Sequence, residues 1–365
     1  MRAELHLEDG TVFAGEPFGA RVPCAGEVVF NTGMVGYPET LTDPSYAGQI
    51  LACTYPLIGN YGVPGPDGNG SPEGAAGLPP WFESTRVHVR GFIVSGLSRT
   101  YSHWSARSSL DAWLRAQGVP GIAGIDTRAL TRRLREKGTM LGKILVDGAD
   151  VPLEDPNATN LVAGVSIGAP VLYEAPGPLR CVLVDFGAKH NIIRSLTRRG
   201  VSVLRVPWNY DWTGEEADGV VLSNGPGDPV MCAAAIDVLR RGLEKNIPVL
   251  GICLGHQLLA LAAGGDTYKM RFGHRSQNQP CVQVGSRRCY VTSQNHGFAV
   301  NERSLPPEWE PWFFNANDGT NEGIRHRTKP FRSVQFHPEA TPGPTDTDGF
   351  FDSFIEVLAH EGQAA

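Results

Sequence analysis

At 365 residues the chain is long enough for about two domains, each with its own core. Its 41% apolar and 19% charged residues are ordinary for a globular protein, and a formal charge of −6 excludes a general attraction to nucleic acid or to an anionic membrane. No apolar run approaches the roughly 20 residues of a membrane-spanning helix, the N-terminus MRAELHLED lacks the apolar stretch of a signal peptide, and seven cysteines form no C-x-x-C pair, so a cytoplasmic location is expected.

Residues 1–150 read as a strand-rich α+β domain. Residues 5–13 give two short strands around the Asp9-Gly10 turn, and 27–31 give a third. The segment 62–80, GVPGPDGNGSPEGAAGLPP, holds six glycines and five prolines and is expected to be a mobile surface loop, because it has too little apolar surface to order itself. Residues 109–117 and 127–137 read as helices, the second with arginines on its polar face; a solvated face and a partner contact both account for them. Asp, Pro, Asn and Gly then scatter among short apolar pieces, which places a linker at 151–179.

From 180 to about 360 short apolar strands alternate with helices. Strands are expected at 181–185, 201–206, 219–222 and 248–252, and helices at 191–199 and 233–245. This pattern predicts an α/β domain with a mostly parallel sheet flanked by helices, whose sites lie beyond the C-terminal ends of the strands. A closing amphipathic helix is read at 350–359.

One such strand runs into Gly251-Ile252-Cys253-Leu254-Gly255-His256-Gln257, followed by a helix read at 258–263. A G-x-C-x-G turn between strand and helix is the cysteine counterpart of the G-x-S-x-G nucleophile elbow. Small flanking residues let the backbone turn sharply, and the positive end of a helix behind the sulfur favours the thiolate. Cys253 is therefore the candidate nucleophile, while the other six cysteines lack this framing. His337 closes a probable strand at 333–336, and in an extended segment Glu339 lies on the same side as His337. That supplies a base and a carboxylate to orient it. His256 is expected to pack in the helix behind the nucleophile, and no His/Cys/Asp spacing suggests a metal site. The stretch SNGPGDP (223–229) is either a plain turn or a place where backbone groups hold a substrate, and QNHGF (294–298) reads as a polar loop.

Together and in this order, SNGPGDP, GICLGHQ, QNHGFAV and FHPE resemble the triad-type (class I) glutamine amidotransferases. LEDGTVFAGEPFGA, GEVVFNTGMVGYPETLTDPSYAGQI, TYPLIGNYG and GIDTRALTRRLREKG resemble the N-terminal domain of carbamoyl phosphate synthetase small subunits. TYKMRFG, NQPC and SQNHGFAV are similar to the glutaminase region of the multifunctional eukaryotic pyrimidine-synthesis proteins.

This resemblance implies hydrolysis of L-glutamine through a Cys253 thioester, with His337 as base and Glu339 as its partner. It implies backbone N–H groups of Gly225 or Gly227 and of Leu254 facing the oxyanion. It also implies a glutamine pocket of Ser45, Gly225, Gly227, Gln257, Asn295, Gly297 and Phe298, which Ser45 would place at the domain interface. Ammonia would pass to a synthetase large subunit or fused synthetase domain for carbamoyl phosphate, serving pyrimidine or arginine synthesis. ATP, Mg2+ and bicarbonate belong to that partner: no G-x-x-x-x-G-K-[ST] occurs here and no cofactor is expected in this chain. Two other readings stay open. One is a glutaminase serving another synthase; the other is a silent scaffold, since the family's ammonia-dependent form lacks the cysteine.

Overall fold

The computed structural model describes residues 2–65 and 77–361; most of the Gly/Pro segment expected to be a mobile loop lies outside them. The chain divides into two units, Met1–Gly74 with Pro79–Thr159 and Ala75–Leu78 with Asn160–Ala365.

The first unit carries β1 (Ala3–Leu7), β2 (Val12–Gly19), β3 (Cys24–Asn31), β4 (Gln49–Cys53), β5 (Val63–Pro64), β6 (Gly91–Val94), β7 (Ala106–Ser108), β8 (Pro120–Ala123) and β9 (Met140–Val146). Seven of these close a barrel in the order β1-β2-β8-β6-β4-β3-β9, and β5 pairs with β7 apart from it. Closure leaves no free sheet edge. The period of two is visible in β1 and β9, where Ala3, Leu5 and Leu7, and Met140, Ile144 and Val146, are buried while their neighbours are half-exposed. The helices are α1 (Tyr37–Thr42), α2 (Leu110–Ala116) and α3 (Thr127–Lys137). The Asp126 side chain accepts from the Ala129 N–H at 2.8 Å to start α3, and Gly138 at φ 106° ends it.

The second unit is built on one sheet of β10 (Val171–Tyr173), β11 (Arg180–Asp185), β12 (Ser202–Pro207), β13 (Gly219–Leu222), β14 (Val249–Ile252), β15 (Asp266–Gln283), β16 (Cys289–Asn301), β17 (Trp309–Asn315), β18 (Asn321–His326) and β19 (Phe331–Val334). Five strands, β12-β11-β13-β14-β19, run parallel. Their near-continuous apolar runs are buried on both faces, as parallel strands require. Val182, Val184, Val220 and Leu222 pack under α5 (Ala233–Glu244) and α6 (Leu254–Ala262). Cys181, Leu183, Val221 and Leu250 pack under α4 (His190–Thr197) and α7 (Gly349–Glu361).

Antiparallel strands extend this centre at both ends, β10 on one side and β18-β17-β15-β16 on the other. The stretch QNHGF, expected as a polar loop, is therefore the middle of strand β16. Its alternation is in polar residues: Thr292, Gln294 and His296 are buried on one face in a hydrogen-bonded interior. A scan for apolar periodicity passes over such a strand. Among the described residues no helix is long and apolar enough to cross a membrane.

Candidate active site

Cys253 stands between β14 and α6 at φ 53°, ψ −104°, backbone angles that only a tightly held turn sustains in a residue with a side chain. The helix starts directly at Leu254, four residues before the apolar pattern predicted it, which puts the sulfur at its N-terminus. Flanking glycines make this possible. A Cβ at Gly251 would lie 2.7 Å from the Gly255 carbonyl oxygen, and one at Gly255 would lie 2.3 Å from that of Leu222. The elbow is pinned on both sides, the Cys253 N–H donating to Val334 O at 2.9 Å and the Gly255 N–H to Ser223 O at 3.0 Å. The thiol is buried and faces Asn295 O at 3.6 Å.

His337 follows β19 and bridges to β16, its N–H donating to Ser293 O at 2.9 Å. Its Nδ1 lies 2.6 Å from Glu339 Oε1. The route differs from the extended alternation expected from sequence. Pro338 and Glu339 form a turn closed by the Ala340 N–H on His337 O at 3.0 Å, and this turn swings the carboxylate under the ring. The other ring nitrogen, Nε2, is buried and makes no hydrogen bond of ordinary geometry among the described residues, while Cys253 acts on the ring electrostatically. Burial opposes a charge on His337, but Glu339 and then Cys253 outweigh it and push its pKa up to about 10.

Glu339 is also buried, yet Lys189 and His337 hold its carboxyl down at about 2 against that burial. Lys189 Nζ lies 3.2 Å from Glu339 Oε1 and donates to Ala340 O. Asn191 Nδ2 donates to Glu339 O and, at 2.8 Å, to Thr341 Oγ1. The segment carrying Lys189 is held by SNGPGDP, since Asn224 Oδ1 accepts from the Lys189 N–H at 3.0 Å and Ser223 Oγ from the Phe186 N–H at 2.9 Å. Sequence reading passed over Lys189 and Asn191. Their position just beyond the C-terminal end of β11 was the available signal.

Gly225 sits against the elbow, where a Cβ would meet Phe186 O at 2.2 Å and the Leu254 side chain at 2.8 Å. Gly227 takes φ 85° beside Leu161. Gln257, in the first turns of α6, donates through Nε2 to Phe298 O at 2.9 Å and to Gln335 Oε1 at 3.0 Å, tying the helix to β16. Asn295, Gly297 and Phe298 follow one another along β16, and the carbonyl of Asn295 faces the sulfur. Ser45 belongs to the first unit, where it is buried in the turn Pro44–Tyr46 with its N–H on Asp43 Oδ1 at 2.9 Å. His256 is neutral packing: burial pushes its pKa down to about 3, and its Nδ1 meets Ser333 Oγ at 2.9 Å. Burial likewise pushes the thiols of Cys24, Cys53 and Cys232 up to about 12, far from reactivity.

A cysteine sulfur at a helix N-terminus, beside an imidazole backed by a buried carboxylate, is an arrangement suited to acyl transfer through a covalent intermediate. Comparison with known proteins agrees in kind. Residues 182–357 match the family described as glutamine amidotransferase class-I, and residues 5–144 match the carbamoyl-phosphate synthase small chain, CPSase domain. The chain is 52% identical over 359 residues to multifunctional protein CAD of Squalus acanthias, covering 97% of this chain and 16% of that one. It is 49% identical to multifunctional protein ura1 of Schizosaccharomyces pombe, covering 99% and 17% respectively. It is also 47% identical to the mitochondrial carbamoyl-phosphate synthase [ammonia] of Homo sapiens, covering 98% and 24%. The chain thus spans no more than a quarter of the length of these relatives.

Proposed function

The chain belongs to the class I glutamine amidotransferases, with a carbamoyl-phosphate synthase small-chain domain ahead of the catalytic one, and on that premise we propose that it hydrolyses L-glutamine to supply ammonia for carbamoyl phosphate synthesis. The observation that carries this reading is the strained Cys253 at the head of α6 with the His337–Glu339 pair behind it.

Cys253 Sγ attacks the side-chain amide carbon, and the carbonyl oxygen becomes an oxyanion. The N–H groups of Gly225 or Gly227 and of Leu254 receive it, each donor lowering the barrier by roughly 3–4 kcal/mol. His337 protonates the departing nitrogen, ammonia leaves and a γ-glutamyl thioester remains. Water deprotonated by His337 then releases glutamate, and Glu339 steadies the imidazolium throughout. Ammonia is a nucleophile only while unprotonated, so its use calls for a shielded transfer to a synthetase. That partner, as a separate subunit or a fused region, would bring ATP, Mg2+ and bicarbonate. Gln257, Asn295, Gly297 and Phe298 form the pocket wall in this reading, and Ser45 is a further proposed glutamine-binding residue. The cytoplasm is the proposed location and pyrimidine synthesis the proposed pathway, in line with the multifunctional relatives.

The test is glutamate release by the purified chain, alone and with a carbamoyl phosphate synthetase large subunit, beside Cys253→Ser. Hydrolysis that needs Cys253 and rises with the partner is the expected result. A parent rate in Cys253→Ser would overturn the nucleophile. Ser45→Ala and Asn295→Ala are expected to raise KM for glutamine, and an unchanged KM in both would remove them from the pocket. One relative carries "ammonia" in its name, which favours a second reading as a silent scaffold. The presence of Cys253 argues against it, and absence of hydrolysis in both conditions would establish it.

A further inference from the structure

The antiparallel flank of the second unit holds a cluster that the glutaminase reading does not use. His274 of β15, His296 of β16 and Glu322 of β18 are all buried, and each offers a nitrogen or oxygen within 4.8 Å of the others. The imidazoles meet edge to face, with centroids 5.1 Å apart.

Each ring is anchored by the nitrogen that points away from the cluster. His296 Nδ1 lies 2.7 Å from Phe298 O, and His274 Nε2 lies 2.8 Å from Asp318 Oδ2. Those oxygens can only accept, so the anchoring nitrogens carry the protons. In a neutral ring the inward nitrogens, His296 Nε2 and His274 Nδ1, then present lone pairs. A backbone carbonyl or carboxylate behind a histidine is the usual second layer of a metal site.

Most of what the lone pairs face is also electron-rich, the exception being Asn315 Nδ2, which approaches His274 Nδ1 at 3.4 Å. Gln294 Oε1 lies 2.9 Å from His296 Nε2 and 3.0 Å from His274 Nδ1, while Gln294 Nε2 turns to Thr292 Oγ1 and Cys281 Sγ. Glu322 Oε1 lies 3.2 Å from His274 Nδ1, and Asn315 Nδ2 donates to it at 3.0 Å. Glu322 Oε2 is buried and makes no hydrogen bond among the described residues. A proton on His274 Nδ1 would serve Glu322, but no proton would then bridge His296 Nε2 and Gln294 Oε1. A cation at the centre satisfies all of them. Tetrahedral ligands about 2.0 Å from an ion stand roughly 3.3 Å apart. Gln294 Oε1 and Glu322 Oε1 stand 2.9–3.2 Å from the imidazole nitrogens they face, and the donors of the two histidines and Glu322 lie within 4.8 Å of one another.

We propose that His274, His296 and Glu322, with Gln294 Oε1 as fourth donor, form a binding site for a divalent transition-metal ion such as Zn2+. Two nitrogens and two oxygens suit that class of ion. The ion would clasp three strands at the stretch of β16 that also carries Asn295, Gly297 and Phe298, as a structural centre. The ligands lie far apart in sequence on three strands, which is why no metal motif is visible there.

The experiment is Zn2+ and Co2+ titration of the chelator-treated chain carrying Cys253→Ser, which keeps ions off the nucleophile. We expect one ion per chain and a tetrahedral Co2+ ligand-field absorption without a thiolate charge-transfer band. Asp318→Asn should weaken affinity 10–100-fold, and Glu322→Gln at least as much. Because the Asp318 side chain is 43% exposed, its substitution spares the interior and decides the matter if Glu322→Gln fails to fold. No absorption, a thiolate band, or an affinity unchanged by Asp318→Asn would overturn the site. Binding is read without any glutaminase assay, so this result is separate from the proposed activity.

Discussion

Lys189 Nζ lies 3.2 Å from Glu339 Oε1, the same oxygen that lies 2.6 Å from His337 Nδ1. One buried carboxylate oxygen thus serves the Lys189 amine on one side and the imidazole on the other. Lys189 keeps Glu339 ionised, so that Glu339 can support a charged His337. Lys189→Met should lower kcat for glutamine by about tenfold or more, a barrier increase of about 1.4 kcal/mol. It should also destabilise the fold by roughly 3–5 kcal/mol, because the carboxylate loses a buried partner. Steady-state kinetics with thermal unfolding checks both; an unchanged kcat would make Lys189 purely structural.

The depressed Glu339 and raised His337 pKa values fix opposite pH limbs. Glu339 has an ordinary value of 4.5 and a folded value near 2, so its contribution is present above 4.5 and is lost as pH falls through about 2. His337 moves from 6.5 to about 10, so its contribution is complete below 6.5 and is lost as pH rises through about 10. In denaturant unfolding, the stability gap between parent and Glu339→Gln should widen as pH rises from about 2 to about 5. A gap that ignores pH would mean Glu339 is not ionised in the fold. The His337 ring should remain an imidazolium at neutral pH, which nitrogen NMR reads directly.

Gly225 and Gly227 should answer alanine differently. At Gly225 the new methyl would lie 2.2 Å from a backbone oxygen that cannot turn aside, so the strand end must shift, at roughly 1–3 kcal/mol. At Gly227 the nearest atom is 3.4 Å away and only φ 85° is penalised, at about 1 kcal/mol. Unfolding temperatures should rank parent, Gly227→Ala, Gly225→Ala from highest to lowest. The reverse order would contradict the packing at the elbow.

Gln257 acts on the pocket through Phe298 O and Gln335 Oε1, its two acceptors at 2.9 and 3.0 Å. Gln257→Met leaves both buried acceptors without this donor and should cost about 1–3 kcal/mol. With β16 no longer tied to α6, KM for glutamine should rise more than kcat falls. A loss confined to kcat would place Gln257 at the reacting centre instead.

Much of the parallel core was readable, since strands such as Gly219–Leu222 and Val249–Ile252 are uninterrupted apolar runs. The elbow was readable because the backbone approach at Gly251 and Gly255 tolerates no Cβ. The start of α6 at Leu254 was not: Gly255 and His256 break the apolar pattern, and the helix is fixed by its contacts with β13 and β19. Glu339 was paired with His337 on an argument of strand alternation, whereas a turn brings them together. Lys189 and Asn191 carry no motif, and their meeting with 339–341 is a long-range product of the sheet order. Buried polar strands such as β16 look like loops in sequence because hydrogen bonds rather than apolar area hold them.

The positive φ of Cys253 has a consequence for variants that disable the chain. A cysteine held there stores about 1–3 kcal/mol of backbone strain. Glycine relieves that strain, and the relief offsets the lost packing of one sulfur. Cys253→Gly should therefore fold about as well as the parent while hydrolysing nothing. Cellular abundance would not reveal such a lesion: a survey of variants scored by protein level would pass it as benign, and only an assay of product would find it.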